Sequence, residues 1–347
     1  MVTVGEARAL AAARVAEEAA RLSGMVLGAY TAGSANWLPD DAILPSSSDL
    51  DVMLVLADSD PPVKPGKQLY KGVLLELTYL SDQPFQSAET ILAHYHLATS
   101  FQSAQILLDP SGKLAALQAE VRHEFPKAAR VRQRLAHVEA NVRGMCGAVA
   151  TWDVLHEKVT CCFFGAGGLC HLLLVAGLRN PTVRLRYLAA RELLAEHGRP
   201  DLYERLLEVA GYAAVTPDTV RAQVATLADA FDDAGPAVRT PIFFKSDLDT
   251  VSRPIAIDGA YELIARGDHR EAIYWNVATY ARCMSVFSRD DWPELHAKHL
   301  PGFWRLLNDL GITSEDDLRQ RAERVVALIP EVRAVADTIM AANPTII

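Results

Sequence analysis

Two acidic residues, Asp49 and Asp51, stand one residue apart at the start of an apolar run that ends at Leu56. In a β-strand, successive side chains point to opposite faces, so the two carboxylates share one face and the apolar residues share the other. Neighbouring carboxylates repel each other, and a bound cation would relieve this repulsion. Magnesium prefers oxygen ligands and often uses one or two carboxylates together with phosphate oxygens. The spacing therefore predicts a magnesium site at this strand.

A third acid, Glu76, interrupts the apolar run between Val73 and Tyr79. Alternation places Glu76 beside Thr78 on one face of a strand, with the apolar side chains on the opposite face. If this strand neighbours the Asp49 strand, Glu76 completes a cluster of three carboxylates. Such a cluster can hold one or two metal ions, or Glu76 can accept the proton of an attacking hydroxyl. The residues alone leave both roles for Glu76 open.

Gly33 and Ser34 follow another strand-like run and are placed to open a short helix. Glycine lets the backbone approach a ligand closely, and the amide groups at a helix start attract anions. Together with the Ser34 hydroxyl, these amides predict contact with a phosphate.

The elements that must position these residues fall into two parts. The first third of the chain alternates strand and helix patterns, and a Pro- and Gly-rich segment at 61–66 predicts a hairpin-like connection between the second and third strands. Beyond Gly112, apolar residues recur at helical spacing. We expect an α+β fold with a small mixed-sheet domain at 1–112 and an all-helical domain at 113–347. The predicted strands span 25–30, 49–56, 73–80 and 105–108, and the predicted helices span 5–22, 87–95, 113–121, 128–149, 185–197, 202–209, 220–231, 259–265, 270–287 and 314–342.

Composition favours a small-molecule partner over nucleic acid. The chain has 34 basic and 43 acidic residues and a formal net charge of −9, and nucleic-acid binding generally depends on a basic surface. A small or cationic substrate is therefore expected. The helical part has acids that could line a cleft for a cationic acceptor: Asp153, Glu157, Asp247, Asp249 and Asp258.

The chain has features of a cytoplasmic protein without a membrane span. Its first 22 residues are too charged for a secretory apolar core. Five cysteines, an odd number, suit reduced thiols better than a disulfide framework. The uncharged run 160–178 approaches the length of a membrane span, but its glycines and histidine favour a buried helix. Its cysteines and His171 lack the paired short loops of a zinc site, so buried thiols are expected.

The chemistry-bearing residues, taken in order, resemble the signature of the DNA polymerase beta-like nucleotidyltransferase superfamily. The resemblance covers about the first 112 residues and rests on three motifs: Ala32-Gly33-Ser34, Ser48-Asp49-Leu50-Asp51-Val52 and Leu75-Glu76-Leu77. It implies that Asp49 and Asp51 bind magnesium and that Glu76 is a third metal ligand or a base. It also implies that Gly33, Ser34 and Ser48 bind the nucleotide, with ATP as the expected substrate and two Mg²⁺ ions as the expected cofactors.

Within that superfamily, the architecture resembles the aminoglycoside nucleotidyltransferases, in which a helical C-terminal domain closes the substrate cleft. The segment from Ile106 to Leu114 resembles the end of their catalytic domain, and the segment from Asn276 to Arg282 resembles a helix that contacts the nucleotide. This similarity implies that Arg282 and Lys298 bind phosphate.

The resulting functional hypothesis is transfer of AMP from ATP to a hydroxyl of a small molecule, with release of pyrophosphate. The acceptor could be an aminoglycoside-like antibiotic, which would make the protein a resistance enzyme. Two alternatives stay open: a protein or tRNA acceptor, as in toxin-antitoxin relatives, and a nucleotide-binding regulator without turnover. The intact set of carboxylates argues against a regulator, because a protein without catalytic activity would be free to lose one.

Overall fold

The computed structural model describes residues 2–347, which form two compact units. The first unit comprises the chain up to Arg134 together with Pro241–Asp247 and Thr345–Ile347. The second comprises Leu135–Thr240 and Leu248–Pro344. The β-sheet belongs to the first unit and the second unit is helical, so the predicted α+β fold class is confirmed.

The first unit is built on a mixed five-stranded sheet in the order β3-β4-β2-β1-β5. Strand β2 pairs in parallel with β4 and antiparallel with β1, while β3 and β5 pair antiparallel with β4 and β1, respectively. The strands are β1 (Val26–Ala32), β2 (Leu50–Leu56), β3 (Gly66–Tyr70), β4 (Val73–Ser81) and β5 (Ile106–Leu108).

The connection between β2 and β4 corrects the predicted hairpin at 61–66. Because β2 and β4 run parallel, a tight turn cannot join them. The chain instead forms β3, which the sequence analysis missed, and a two-residue turn then leads into β4. Lys71 and Gly72 in this turn have φ angles of 49° and 86°, and positive φ at both central residues is typical of a tight hairpin.

Helix α1 (Val4–Arg21) covers one face of the sheet. It begins with a capping box in which the Thr3 side chain and Glu6 satisfy each other's backbone amides. Buried residues of α1 pack with the apolar face of β2 and β4 in one core cluster, which includes Ala7, Ala11, Val15, Leu50, Val52, Leu54, Leu75, Leu77 and Tyr79. Packing this face inward leaves Asp51 and Glu76 on the opposite face, as the alternation predicted.

Three short helices extend the first unit: α2 (Ala88–Ala93), α3 (Tyr95–Ser103) and α4 (Lys113–Glu124). The division of the chain therefore differs from the predicted boundary after residue 112, because α4 belongs with the sheet. The Gln118 side chain of α4 donates hydrogen bonds to the carbonyls of Phe101 and Ala104, at 2.7 and 2.9 Å. These bonds satisfy carbonyls at the end of α3 and attach α4 to that helix.

The second unit contains long helices. Helix α5 begins in the first unit and ends in the second. Helix α12 was not predicted; it has Pro293 at its first position, a common helix start, and Pro301 in its interior. The helices are α5 (Ala128–Ala148), α6 (Leu155–Ala176), α7 (Arg186–Glu196), α8 (Pro200–Ala210), α9 (Pro217–Ala237), α10 (Gly259–Ala265), α11 (His269–Arg289), α12 (Pro293–Asp309) and α13 (Glu315–Ala342).

Helix α6 contains the apolar run that approaches the length of a membrane span. By length and composition it could cross a membrane, but 89% of its most apolar window is buried inside the protein. An apolar helix buried in this way is typical of the core of a soluble protein. All five cysteines are buried and free, including Cys161, Cys162 and Cys170 on α6.

Candidate functional site

Three carboxylates converge on the face of the sheet opposite α1. Asp51 in β2 is the direct register partner of Glu76 in β4, and Asp49 immediately precedes β2. One ligand oxygen from each residue can be chosen so that all three lie within 4.8 Å of one another. The convergence follows from the parallel pairing of β2 with β4, which places both strands' polar faces side by side.

The two aspartates are electrostatically strained in this arrangement. Burial raises the pKa of Asp49, and the neighbouring Glu76 raises it further, although Lys67 opposes both effects. Burial, followed by the charges of Asp49 and Glu76, holds the pKa of Asp51 well above its usual range. The Asp51 carboxylate has no ion-pair partner among residues 2–347. A cation at Asp51 would therefore be favoured.

Two lysines that the sequence analysis missed also belong to the site. Lys67 in β3 is the register partner of Glu76, and its Nζ lies 2.5 Å from Glu76 Oε2 and 3.4 Å from Asp49 Oδ2. Lys64 forms an ion pair with Glu76 Oε1 and lies 4.2 Å from the centre of the Phe243 ring. Burial alone would lower the pKa of Lys67, but its carboxylate neighbours, Asp49 first, raise the pKa above its usual range. Lys67 therefore stays charged.

Asp247 completes the cluster from a distant part of the chain. It forms an ion pair with Lys67, and it lies in the segment Pro241–Asp247, which belongs to the first unit. Asp247 was predicted to lie among the acids of the helical domain, but it lies beside the sheet. Close approach is possible because Gly66 has no side chain, and a Cβ there would clash with Ser246.

Glu76 is the most fully neutralised of the three carboxylates. Lys64 and Lys67 together occupy both of its oxygens. Burial would raise the pKa of Glu76, but the charges of Lys67 and Lys64 outweigh burial and hold the pKa below its usual value. A carboxylate with a lowered pKa is a weaker proton acceptor.

Gly33 lies in contact with the carboxylate cluster. Its backbone has φ 73° and ψ −163°, a conformation that is essentially restricted to glycine. A Cβ at this position would clash with Oδ2 of Asp51. The glycine predicted from the sequence is thus required both by the backbone and by the close approach of Asp51.

The serines expected to bind the nucleotide lie near the same strand ends. Ser34 is exposed and begins a short 3₁₀ helix, Ser34–Trp37. Ser48 is partly buried, and its hydroxyl lies 3.3 Å from the carbonyl of Asp49. The loop after Gly33 is fixed by Asn36, whose side-chain amide donates to the carbonyl of Thr31 at 2.9 Å.

The two basic residues expected to bind phosphate belong to the second unit. The Lys298 Nζ lies 2.6 Å from Asp233 Oδ2, so this charge is already paired. The Arg282 guanidinium lies 4.8 Å from the centre of the Trp275 ring. Their roles as phosphate ligands stay predictions.

The donor set suits a hard divalent cation. It consists of carboxylate oxygens alone, without a thiol or imidazole, and Mg²⁺ prefers such ligands. Asp51, with no ion-pair partner and a raised pKa, is the residue that gains most from a metal ion. The residues therefore fit a magnesium site.

Comparison with known proteins gives no independent assignment: no family model matches the chain, and no curated protein matches its sequence.

Proposed function

We propose that the protein is a magnesium-dependent nucleotidyltransferase that moves a nucleoside monophosphate, AMP from ATP, to a hydroxyl of a small molecule. The observation that carries this proposal is the convergence of Asp49, Asp51 and Glu76 beside the backbone of Gly33. A loop whose glycine leaves the backbone accessible, next to a carboxylate cluster, suits the binding of a phosphate chain through a metal ion.

In this proposal Asp49 and Asp51 hold the metal. When bound, magnesium neutralises phosphate charge and orients the reacting phosphorus. Gly33 allows the outer phosphates to approach the main chain, and the exposed Ser34 hydroxyl offers them a hydrogen bond.

Glu76 suits a positioning role better than that of a base. Both of its oxygens carry a lysine partner, and its pKa is lowered. Accepting the proton of an acceptor hydroxyl would require loss of one ion pair. We therefore assign to Glu76 the task of fixing Lys64 and Lys67 beside the metal site.

The acceptor we propose is a small hydroxylated cation, such as an aminoglycoside, acted on in the cytoplasm. The net charge of −9 supports a cationic acceptor over a polyanionic one. The five free cysteines support a reducing compartment. This function would make the protein an antibiotic-resistance enzyme.

A screen for pyrophosphate release tests the proposed function. The four nucleoside triphosphates would be combined with magnesium and a library of hydroxylated compounds that includes aminoglycosides. We expect acceptor-dependent release that falls at least a thousandfold in Asp49→Asn, because the metal site is lost. Release that is independent of Asp49 in every combination would contradict the proposal.

A further inference from the structure

The carboxylate cluster contains its own positive charges. Four acids, Asp49, Asp51, Glu76 and Asp247, surround two lysines, and Lys67 alone contacts three of the four acids. The Lys64 and Lys67 side chains are each only 7% exposed. Four negative and two positive charges leave a net charge of −2, which one divalent ion balances.

The lysines also decide which oxygens are available to a metal. Both Glu76 oxygens are held by ammonium groups, and Asp247 is paired with Lys67. Asp51 has no ion-pair partner among residues 2–347, and Asp49 contacts Lys67 through Oδ2 at 3.4 Å. A metal at Glu76 would have to displace an ammonium group, whereas a metal at Asp49 and Asp51 would not.

The position of Lys67 is fixed by the fold as well as by charge. Its backbone pairs with that of Glu76 across β3 and β4, so the two side chains leave neighbouring strands on the same face. The close packing of Gly66 against Ser246 brings the next residue, Asp247, to the other side of the ammonium group. Lys67 is therefore bracketed by acids from two separate parts of the chain.

We propose that Lys67 is a resident counter-cation that takes the place of a second divalent ion, so that the nucleotide-free protein binds one ion, at Asp49 and Asp51. This inference rests on the proposed function and narrows it, because the superfamily resemblance implies two magnesium ions. Lys67 thereby sets the number and the affinity of the bound metal ions, and Glu76 holds the Lys67 ammonium group in place.

Manganese titration, followed by the electron paramagnetic resonance signal of free Mn²⁺, tests this inference without nucleotide and without turnover. We expect the wild type to bind one ion per chain. Lys67→Met removes one positive charge, releases Glu76 Oε2 and ends the contacts with Asp49 and Asp247, so we expect a second ion to bind, or the first to bind at least tenfold more tightly. Lys113→Met, at an exposed position of α4, is the matched control and should bind as the wild type does.

A second variant keeps the test decisive if Lys67→Met fails to fold, as judged by circular dichroism. Lys64→Met releases one Glu76 oxygen but leaves Lys67 and its contacts with Asp49 and Asp247 in place, so we expect a smaller gain in Mn²⁺ affinity. Two ions bound to the wild type, or unchanged binding in the folded lysine variants, would overturn the inference and leave the proposed function standing. No Mn²⁺ binding by the nucleotide-free wild type would overturn the inference, whereas the proposed function would be overturned by the pyrophosphate-release screen.

Discussion

Asp51→Asn should stabilise the protein when no metal is bound. Asp51 is the carboxylate without an ion-pair partner, and burial together with the charges of Asp49 and Glu76 raises its pKa. Asparagine keeps the shape of the side chain and removes its charge. The substitution therefore relieves repulsion in the metal-free protein and removes a ligand from the metal-bound one.

The size of the effect follows from the geometry of the cluster. Unit charges 4.8 Å apart, the distance within which one oxygen of each of the three residues lies, interact by about 3.5 kcal/mol at an effective dielectric constant of about 20. Lys67 and Lys64 offset part of this repulsion, so we expect a gain of about 1–3 kcal/mol in the free energy of unfolding. In a domain of this size that gain corresponds to a rise in Tm of about 2–10 °C.

The effect also has a defined dependence on pH. A carboxyl group whose pKa is raised by folding binds protons more tightly in the folded state, so stability falls as pH rises from about 3.9 towards the raised pKa. The wild type suffers this loss at Asp51 and the variant does not. The stability advantage of Asp51→Asn should therefore shrink as the pH is lowered towards 4.

Thermal unfolding with EDTA measures the stability of the metal-free protein, and thermal unfolding with excess magnesium measures that of the metal-bound protein. We expect magnesium to raise the Tm of the wild type and to leave that of Asp51→Asn unchanged, because a ligand stabilises the state that binds it. Asp60→Asn, an exposed position in the same unit, is the control and should change the free energy of unfolding by less than about 0.5 kcal/mol. A variant that is less stable than the wild type in EDTA would refute the reasoning about repulsion.

Two further substitutions test the surroundings of the site. Gly33→Ala should displace the Asp51 carboxylate and reduce Mn²⁺ affinity at least tenfold in the manganese titration described above. Gly72→Ala is the control, because Gly72 also has a positive φ but has open space around it, so this substitution should lower stability alone. Equal Mn²⁺ affinity in the two variants would contradict the close approach of Asp51 to Gly33. Glu18 is held by Arg21, Tyr79 and Arg14, which lower its pKa to about 2, so Glu18→Gln should cost about 2–3 kcal/mol near pH 7 by denaturant unfolding. Because the pKa of Glu18 is lowered, the difference in unfolding free energy between the wild type and Glu18→Gln should disappear as the pH falls from about 4.5 towards 2. A difference that stays constant with pH would contradict a stabilising role of the Glu18 charge.

The carboxylates could be predicted from the sequence because strand alternation is a local property. Leu50, Val52 and Leu54 indicate which face of β2 is buried, and this fixes the face of Asp51. The same logic gave the face of Glu76. The sequence alone did not show that the two strands are neighbours. The structure shows that β2 pairs directly with β4.

The lysines and Asp247 could not be predicted in the same way. β3 reads Gly-Lys-Gln-Leu-Tyr, a short polar strand without clear alternation, so neither the strand nor the partner of Lys67 was recognised. The Lys71-Gly72 pair was the available signal, because glycine in a two-residue connection favours a tight turn. Asp247 lies 180 residues from Lys67 in sequence, and no local pattern reports a contact at that distance.

The most direct test of the proposed activity is the fate of each phosphate of ATP. The purified protein would be incubated with magnesium, an aminoglycoside mixture, and ATP labelled at either the α- or the γ-phosphate, with Asp49→Asn as the inactive control. We predict that the α label enters the acceptor and that the γ label leaves in pyrophosphate. Transfer of the γ label to the acceptor, or label transfer that survives in Asp49→Asn, would contradict nucleotidyl transfer at this site.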